Sequence, residues 1–184
     1  PSREDGFQMK IEAGLGNIIY RMSVSDLIQR GILVKPHIKF IRVPAITFPR
    51  KNNYQQIYQK YIVENTDRNE IIASLAKSEM EKGKQILILV KQIKHLTTLQ
   101  QLIPTAQIIE GKMKSTTRKE LLELFLNKKY QVLIATTLAD EGLDIPTLDV
   151  LILAGAGKSS TKAIQRIGRV LRLGDQCEQC GNYD

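Results

Sequence analysis

Three short, nearly continuous apolar runs constrain the fold of this chain more than any other feature of its sequence. They lie at residues 85–90, 132–136 and 150–153, and each has the length of a strand and is rich in Ile, Leu and Val. Strands of this composition are buried on both faces, as in a parallel sheet between two layers of helices. The sequence therefore predicts an α/β fold with a mostly parallel sheet covered by helices on both faces.

The rest of the chain fills in this pattern with weaker strand signals and with stretches of helical period. Further strands are predicted at 17–21, 38–43 and 107–109, and helices at 25–30, 53–82, 95–102 and 115–127. Gly31 and Gly83 are the predicted stops of the first two helices. In such sheets ligands bind beyond the carboxyl ends of the strands, so a site is expected where the loops after Val90, Thr136 and Leu153 meet.

The charge balance indicates the class of partner. Lys and Arg number 27 against 19 Asp and Glu, which gives a formal charge of +8. This excess is typical of a protein that binds a polyanion such as nucleic acid, and a solvated basic surface without a partner is the alternative. Aromatic residues make up only 5% of the chain, so contacts to nucleic acid are expected mainly at its backbone.

Localisation is predicted from what the sequence offers for membranes and disulfides. The apolar runs are far shorter than a bilayer span, and no secretory signal is recognisable at the start. Cys177 and Cys180 are too few for a disulfide framework. The expectation is a cytoplasmic or otherwise intracellular protein, in the nucleoid or nucleus if it acts on a genome, with no membrane partner.

The stretch LILAGAGKSSTKAIQRIGRVLR at 151–172 resembles a phosphate-binding loop but departs from it at one position. Counting back from Gly157-Lys158-Ser159, the glycine that shapes such a loop is replaced by Ile152. No strand ends in the adjacent carboxylates that hold magnesium. This chain alone is therefore predicted to lack an ATP pocket and to be inactive as an ATPase.

The helix predicted after that loop carries a cluster of polar side chains. At about 100° per residue, Gln165, Arg169 and Arg172 fall within about 60° of one another on one face. Two guanidinium groups one turn apart match phosphate oxygens in a way that lysine does not. Spacing alone leaves open that this is a solvated basic helix face.

These residues resemble a known family. The run QRIGRVLR at 165–172 is similar to motif VI of superfamily 2 helicases, and ATTLADEGLDIP at 135–146 is similar to motif V. Residues 86–90 with the helix after them resemble motif IV, and 110–118 resembles the segment in which a His/Tyr-Gly turn and a later Arg flank the next helix. Residues 1–6 resemble the sequence that follows motif III, and 16–35 the beginning of the second motor domain in DNA-repair, transcription-coupled and phage recombination helicases.

The resemblance implies a RecA-like three-layer sandwich within a two-domain motor. Residues 1–15 would be the end of the first motor domain and a linker, 16–176 the second domain, and 177–184 a tail. ATP and Mg²⁺ would be held mainly by the missing N-terminal domain. Arg169 and Arg172 would be arginine fingers beside Gln165, while Gly142 and Asp144 would contact the nucleotide, a turn and a helix cap being their alternatives.

The resemblance also implies a nucleic-acid path on this domain. Thr136, Gly111, Arg118 and Lys91 match positions at or near the nucleic-acid backbone, although Lys91 stands where many relatives carry a hydroxyl. A buried strand end is the alternative for Thr136. Glu141 replaces an arginine common in one RNA-helicase branch, which favours DNA over RNA.

The function predicted is the C-terminal motor domain of an ATP-dependent DNA helicase or translocase, acting as a monomer with its own N-terminal RecA-like domain. Two alternatives remain: a nucleic-acid-binding module without ATPase activity, and the motor of a restriction or remodelling complex that translocates without unwinding. Cys177 and Cys180 resemble one knuckle of a zinc ribbon, with two free thiols in a tail as the favoured alternative.

Overall fold

The fold is a parallel sheet between helices. A computed structural model describes residues 13–14, 16, 20, 22–31, 33, 35–44, 53–136, 145 and 148–155. Within them the four strands are all parallel and stand in the order β2-β3-β1-β4. In chain order the elements are α1 (Val24–Gln29), α2 (Tyr54–Tyr58), a π-helical segment (Gln59–Val63), α3 (Thr66–Glu81), β1 (Ile86–Val90), α4 (Ile93–Leu102), β2 (Gln107–Ile109), α5 (Ser115–Leu126), β3 (Val132–Thr136) and β4 (Val150–Leu153).

Both faces of the sheet are buried, which explains the continuous apolar runs. Alternate residues of β1 point to opposite sides: Ile86 and Ile88 join one apolar cluster with α3 and α4, whereas Leu87 and Leu89 join another with Phe125 of α5. Each fully buried side chain of this kind contributes roughly 1.5–3 kcal/mol. The predicted three-layer α/β sandwich is confirmed.

Local capping explains where the helices begin and end. Ser23 caps α1 in a capping box with Asp26, whose backbone N–H lies 3.0 Å from the Ser23 hydroxyl. Gly31 follows α1 with φ +68° and Gly83 follows α3 with φ +76°, and both are left-handed conformations that favour glycine. The two predicted stops are confirmed.

The prediction of one helix over 53–82 is wrong. After α2 the chain passes through the π-helical segment and leaves helical structure at Glu64, and α3 begins afresh at Thr66. The physical reason is a second cap within the predicted helix, because the Asn65 side chain accepts a hydrogen bond from Arg68 N at 2.9 Å.

The strand predicted at 38–43 is also wrong, because residues 35–44 form no strand. Ile38 is 54% exposed and Phe40 is 93% exposed, so the alternation of apolar residues there buries no face. The strand predicted at 17–21 lies outside the described residues except for Tyr20. No helix in the described part of the chain is long and apolar enough to cross a membrane.

Candidate nucleic-acid interface

The carboxyl ends of the strands lie side by side and form what we call the C-terminal edge of the sheet. Val90 of β1 pairs with Thr136 of β3, and Leu89 pairs with Leu153 of β4. On the other side of β3, Ile109 of β2 pairs with Ala135. Neighbouring strands are about 4.8 Å apart, so the loops after Val90, Thr136 and Leu153 start next to one another as predicted.

Thr136 brings a hydroxyl to this edge. It is the last residue of β3 and is only 3% exposed, and its Oγ1 has no hydrogen-bond partner among the described residues. A buried hydroxyl without a partner costs about 1–3 kcal/mol. The side chain is therefore available for a partner outside the described residues, which a purely structural strand-end threonine would not need.

Gly111 and Arg118 lie together where the chain leaves β2. Gly111 is exposed two residues after the strand, and the Arg118 guanidinium donates to the carbonyls of Gly111 and Met113 at 3.3 and 3.4 Å. Arg118 Nε is buried without a partner. Arg118 therefore supports the turn that carries Gly111, a role that the sequence did not indicate.

Lys91 follows β1 directly and is exposed. Its Nζ lies 5.4 Å from the ring centroids of both Tyr54 and Tyr58. Cation–π contacts of this kind contribute about 0.5–1 kcal/mol at exposed sites. They hold the ammonium beside the C-terminal edge. Gly111, Thr136 and Lys91 thus lie at or just beyond the ends of the neighbouring strands β2, β3 and β1, and we call these three residues the backbone row.

The end of β4 packs against the end of β1 without space for a side chain. The N–H of Gly155 donates to Leu89 O at 3.0 Å. A Cβ on Gly155 would lie 2.6 Å from Lys91 N, 2.8 Å from Tyr58 Oη and 3.0 Å from Val90 Cα. Glycine is required here by the close approach of two backbones.

Beneath this contact lies a buried polar cluster that sequence reasoning missed. Arg68 of α3 donates from Nη2 to Ala154 O, and its Nη1 is buried without a partner. Burial lowers the pKa of Arg68 and raises the pKa of Tyr58, whose hydroxyl also lacks a partner among the described residues. Arg68 thus anchors the backbone that leads directly to residues 156–172, and an isolated arginine near a helix start gives no sequence signal for that role.

His95 completes the cluster in a neutral form. It is fully buried on α4, and its Nε2 lies 2.9 Å from Asn69 Oδ1, while Asn69 Nδ2 donates to Val63 O at 2.8 Å. Burial, together with the positive charge of Arg68, lowers the pKa of His95 to about 4. The imidazole therefore tethers α3 to α4 as an uncharged hydrogen-bonding group.

The remaining predicted residues are beyond the structural description. Gly142, Asp144, Gln165, Arg169, Arg172, Cys177 and Cys180 lie outside the described residues, and their roles stay predictions. Among the residues that the structure does describe, no three His, Cys, Asp or Glu side chains are grouped so that they could hold a metal ion.

Comparison with known proteins decides the family. Residues 67–174, which run from the start of α3 through the predicted motif VI, match the family described as helicase conserved C-terminal domain. The chain belongs to this family, within superfamily 2. The predicted resemblance is thereby confirmed.

Similar proteins include viral and archaeal ones. This helicase domain is 35% identical to putative helicase 22 of a Sulfolobus islandicus filamentous virus, over 94% of this chain and 34% of that protein. It is 26% identical to the DNA 3'-5' translocase XPB2 of Sulfurisphaera tokodaii, over 96% of this chain and 49% of that protein. The chain thus spans at most half the length of these two relatives.

A solved structure agrees on the fold. The crystal structure of T4 UvsW superposes with a TM-score of 0.55 at 23% identity, covering 66% of this chain and 25% of that one. At this identity the likeness shows the shared RecA-like architecture. It is consistent with the sheet order and the two helical layers seen here.

Proposed function

We propose that this helicase domain is the second motor domain of an ATP-dependent DNA helicase or translocase, working as a monomer inside the cell with an N-terminal RecA-like domain of the same protein. The observation that carries the proposal is the meeting of Gly111, Thr136, Lys91 and Gly155 at one edge of the sheet. The archaeal relative is named as a DNA translocase, which supports DNA as the substrate.

ATP and Mg²⁺ would be held mainly by the N-terminal domain, because this chain lacks the glycine and the carboxylates that such a site needs. ATP supplies the transferable phosphoryl group. Arg169 and Arg172 would contact the γ-phosphate when the domains close, and Gln165 would orient the attacking water. Gly142 and Asp144 would contact the nucleotide from motif V.

The described residues support a mechanical link between the two functions. Residues 156–172 continue directly from Ala154 and Gly155, which are held by Arg68 and by β1. Lys91 follows β1, and residues 156–172 come after β4, which pairs with β1. The backbone row and the start of the arginine segment therefore share one pair of strands. Closure driven by DNA would therefore move the strand pair from which the arginine segment continues.

Contacts to the nucleic-acid backbone would come from the backbone row at the C-terminal edge of the sheet. Thr136 has an unsatisfied hydroxyl, Gly111 is exposed near the start of α5, and Lys91 offers an ammonium. Such contacts position a strand without reading its sequence. Arg118 would act mainly by supporting the Gly111 turn.

The test is ATP hydrolysis by the full-length protein with single-stranded DNA, duplex DNA, branched DNA or RNA of equal length. Stimulation of turnover by DNA, and less by RNA, is the expected result. Turnover that no nucleic acid changes would contradict the proposal. Binding of nucleic acid without any ATP hydrolysis would favour the binding module.

Translocation without unwinding is the second candidate, and the name of the archaeal translocase favours it. Displacement of a third strand from a triplex reports translocation, whereas release of one strand of a forked duplex reports unwinding. Triplex displacement without strand release would assign this second function. Release of both would assign helicase activity.

A further inference from the structure

A cluster of tyrosines lies beside the C-terminal edge of the sheet, although the chain is poor in aromatic residues. Three of its six tyrosines, Tyr54, Tyr58 and Tyr61, fall within eight positions of one another. Tyr54 and Tyr58 are one turn apart in α2, with ring centroids 6.0 Å apart and an interplanar angle of 43°. Tyr58 is buried, whereas Tyr54 is 43% exposed, so the inner ring supports an outer one that solvent reaches.

Lysine ammonium groups accompany these rings. Lys91 Nζ lies 5.4 Å from the Tyr54 and Tyr58 centroids, and Lys60 Nζ lies 5.7 Å from that of Tyr61. Neither lysine forms an ion pair with a carboxylate of the described residues. Aromatic rings next to cations are the combination that binds single-stranded nucleic acid, since bases stack and phosphates meet charge.

A surface depression of about 690 Å³ lies in front of the exposed ring, and glutamine amides line it. Gln92 is the N-cap of α4, but its side chain makes no capping hydrogen bond. Gln55 lines the same depression and is exposed. Amides both donate and accept, so they can bind the edge of any base that enters.

We propose that the depression formed by Tyr54, Lys91, Gln55 and Gln92 binds an unstacked nucleobase of a single nucleic-acid strand. The base stacks on the Tyr54 ring, Lys91 contacts the adjoining phosphate, and the amides contact the base edge. The proposal rests on the proposed function, because it places this base next to the backbone row at Gly111 and Thr136. It adds a base contact to a surface expected to touch mainly the nucleic-acid backbone.

Tyr54 suits this role for two physical reasons. It stands on a capped helix, in which the Asn53 side chain accepts from Gln56 N at 2.9 Å and Gln56 Oε1 accepts from Asn53 N at 3.3 Å, so the backbone that carries the ring is fixed. In addition, Lys91 directly follows Val90, and Val90 pairs with Thr136. The base site and the backbone row therefore share the end of β1.

The experiment measures binding of full-length protein to fluorescently labelled single-stranded DNA at several salt concentrations. Variants Tyr54→Leu, Tyr54→Phe and Lys91→Gln are compared with Tyr20→Leu, which removes another exposed tyrosine. We expect Tyr54→Leu to weaken binding about tenfold without changing the salt dependence, because stacking is uncharged. Tyr54→Phe keeps the ring and should bind within about twofold of the native protein, as should Tyr20→Leu.

Salt dependence separates the charge from the ring. Lys91→Gln removes one phosphate contact, so the slope of log K against log salt should fall by about 0.7. On a strand in which a run of bases is replaced by abasic sites, the native protein and Tyr54→Leu should bind equally. An equal loss for Tyr54→Leu on normal and abasic strands would overturn the proposal.

Three further outcomes separate this proposal from the proposed function. If the native protein binds DNA and Tyr54→Leu binds equally well, the base site is wrong and the motor function stands. If Tyr54→Leu instead weakens ATP binding without DNA, the base belongs to the nucleotide and the strand proposal is wrong. If the native protein binds no nucleic acid, the proposed function itself fails.

Discussion

Replacing Gly155 by alanine tests the packing on which the edge of the sheet depends. The new methyl group would lie 2.6 Å from Lys91 N, 2.8 Å from Tyr58 Oη and 3.0 Å from Val90 Cα. Favourable contacts between carbon and its neighbours occur at about 3.5–4.0 Å, so the two strand ends must separate by about 1 Å to relieve the contact with Lys91 N. Two of these three atoms belong to the backbone of β1 and its first loop residue, which cannot rotate away.

The expected cost follows from overpacking, which typically destabilises a protein by about 1–3 kcal/mol. We expect the upper half of that range for Gly155→Ala, because β1 is buried on both faces and is paired on both sides. Urea denaturation followed by circular dichroism measures the change as a lower midpoint at unchanged slope.

Two further variants make this test specific. In Gly14→Ala the added methyl group meets nothing within 4 Å, so this matched control should be as stable as the native chain. Adding Tyr58→Phe to Gly155→Ala removes the hydroxyl contact but leaves the Lys91 N contact, so only part of the loss should be recovered. If Gly155→Ala had the same midpoint as Gly14→Ala, the close approach of β4 and β1 would be refuted.

Three other predictions concern the buried polar groups. The folded-state pKa of His95 is about 4, below its ordinary value of 6.5, so the unfolded state binds the proton first and stability should fall by roughly 3 kcal/mol as pH drops from 6.5 to 4. His95→Gln should reduce this slope in acid titrations of the urea midpoint, leaving the part due to carboxyl groups such as Glu79, whereas His37→Gln, at an exposed site, should retain it in full; equal slopes in both variants would refute the assignment. Arg68→Ala leaves Ala154 O without its donor and should cost about 1–3 kcal/mol, and Arg68→Lys should recover less than half of DNA-stimulated turnover in the full-length protein; turnover at the native rate in Arg68→Ala would contradict the anchoring role. Thr136→Val removes a buried hydroxyl that has no partner in the described chain, so the free energy of unfolding should rise by about 1–3 kcal/mol. Binding of single-stranded DNA should nevertheless weaken about fivefold; unchanged binding would leave Thr136 a structural residue.

The sheet was predictable because burial on both faces restricts its strands to apolar residues. Strands β1, β3 and β4 are recognisable as runs of Ile, Leu and Val, and their observed bounds differ from the predicted ones by at most one residue. The convergence of their ends follows from parallel pairing, which that composition already indicates. Gly31 and Gly83 were equally readable, since a positive φ after a helix favours glycine.

The errors arose where a local pattern had two physical outcomes. Residues 38–43 alternate as a strand does, but a strand needs a partner, and pairing is a non-local property that no window of sequence contains. Asn65 could continue a helix or cap a new one, and the hydrogen bond to Arg68 N selects the cap. The single helix over 53–82 was predicted because helical period persists on both sides of that cap.

The candidate site was predictable in part for a similar reason. Thr136, Lys91 and Gly111 follow predicted strands, so their shared edge could be inferred from the sequence. Arg68 and Tyr58 come from helices that precede the sheet, and they reach the edge only because α3 packs across it. The role of Arg68 depends on its contact with Ala154, which lies 86 residues away in the sequence, and no local pattern indicates such a contact.

The central claim is that this domain supplies charge to a triphosphate held by another domain, and turnover of Arg169→Ala in the full-length protein tests it most directly. The assay compares DNA-stimulated ATP hydrolysis of this variant with that of Arg30→Ala, an exposed arginine beyond α1, and measures binding of a fluorescent ATP analogue to both. Arg169→Ala is predicted to lose about 10³-fold or more in kcat while still binding the nucleotide, and Arg30→Ala to keep the native rate. Hydrolysis by Arg169→Ala at the native rate would contradict the account.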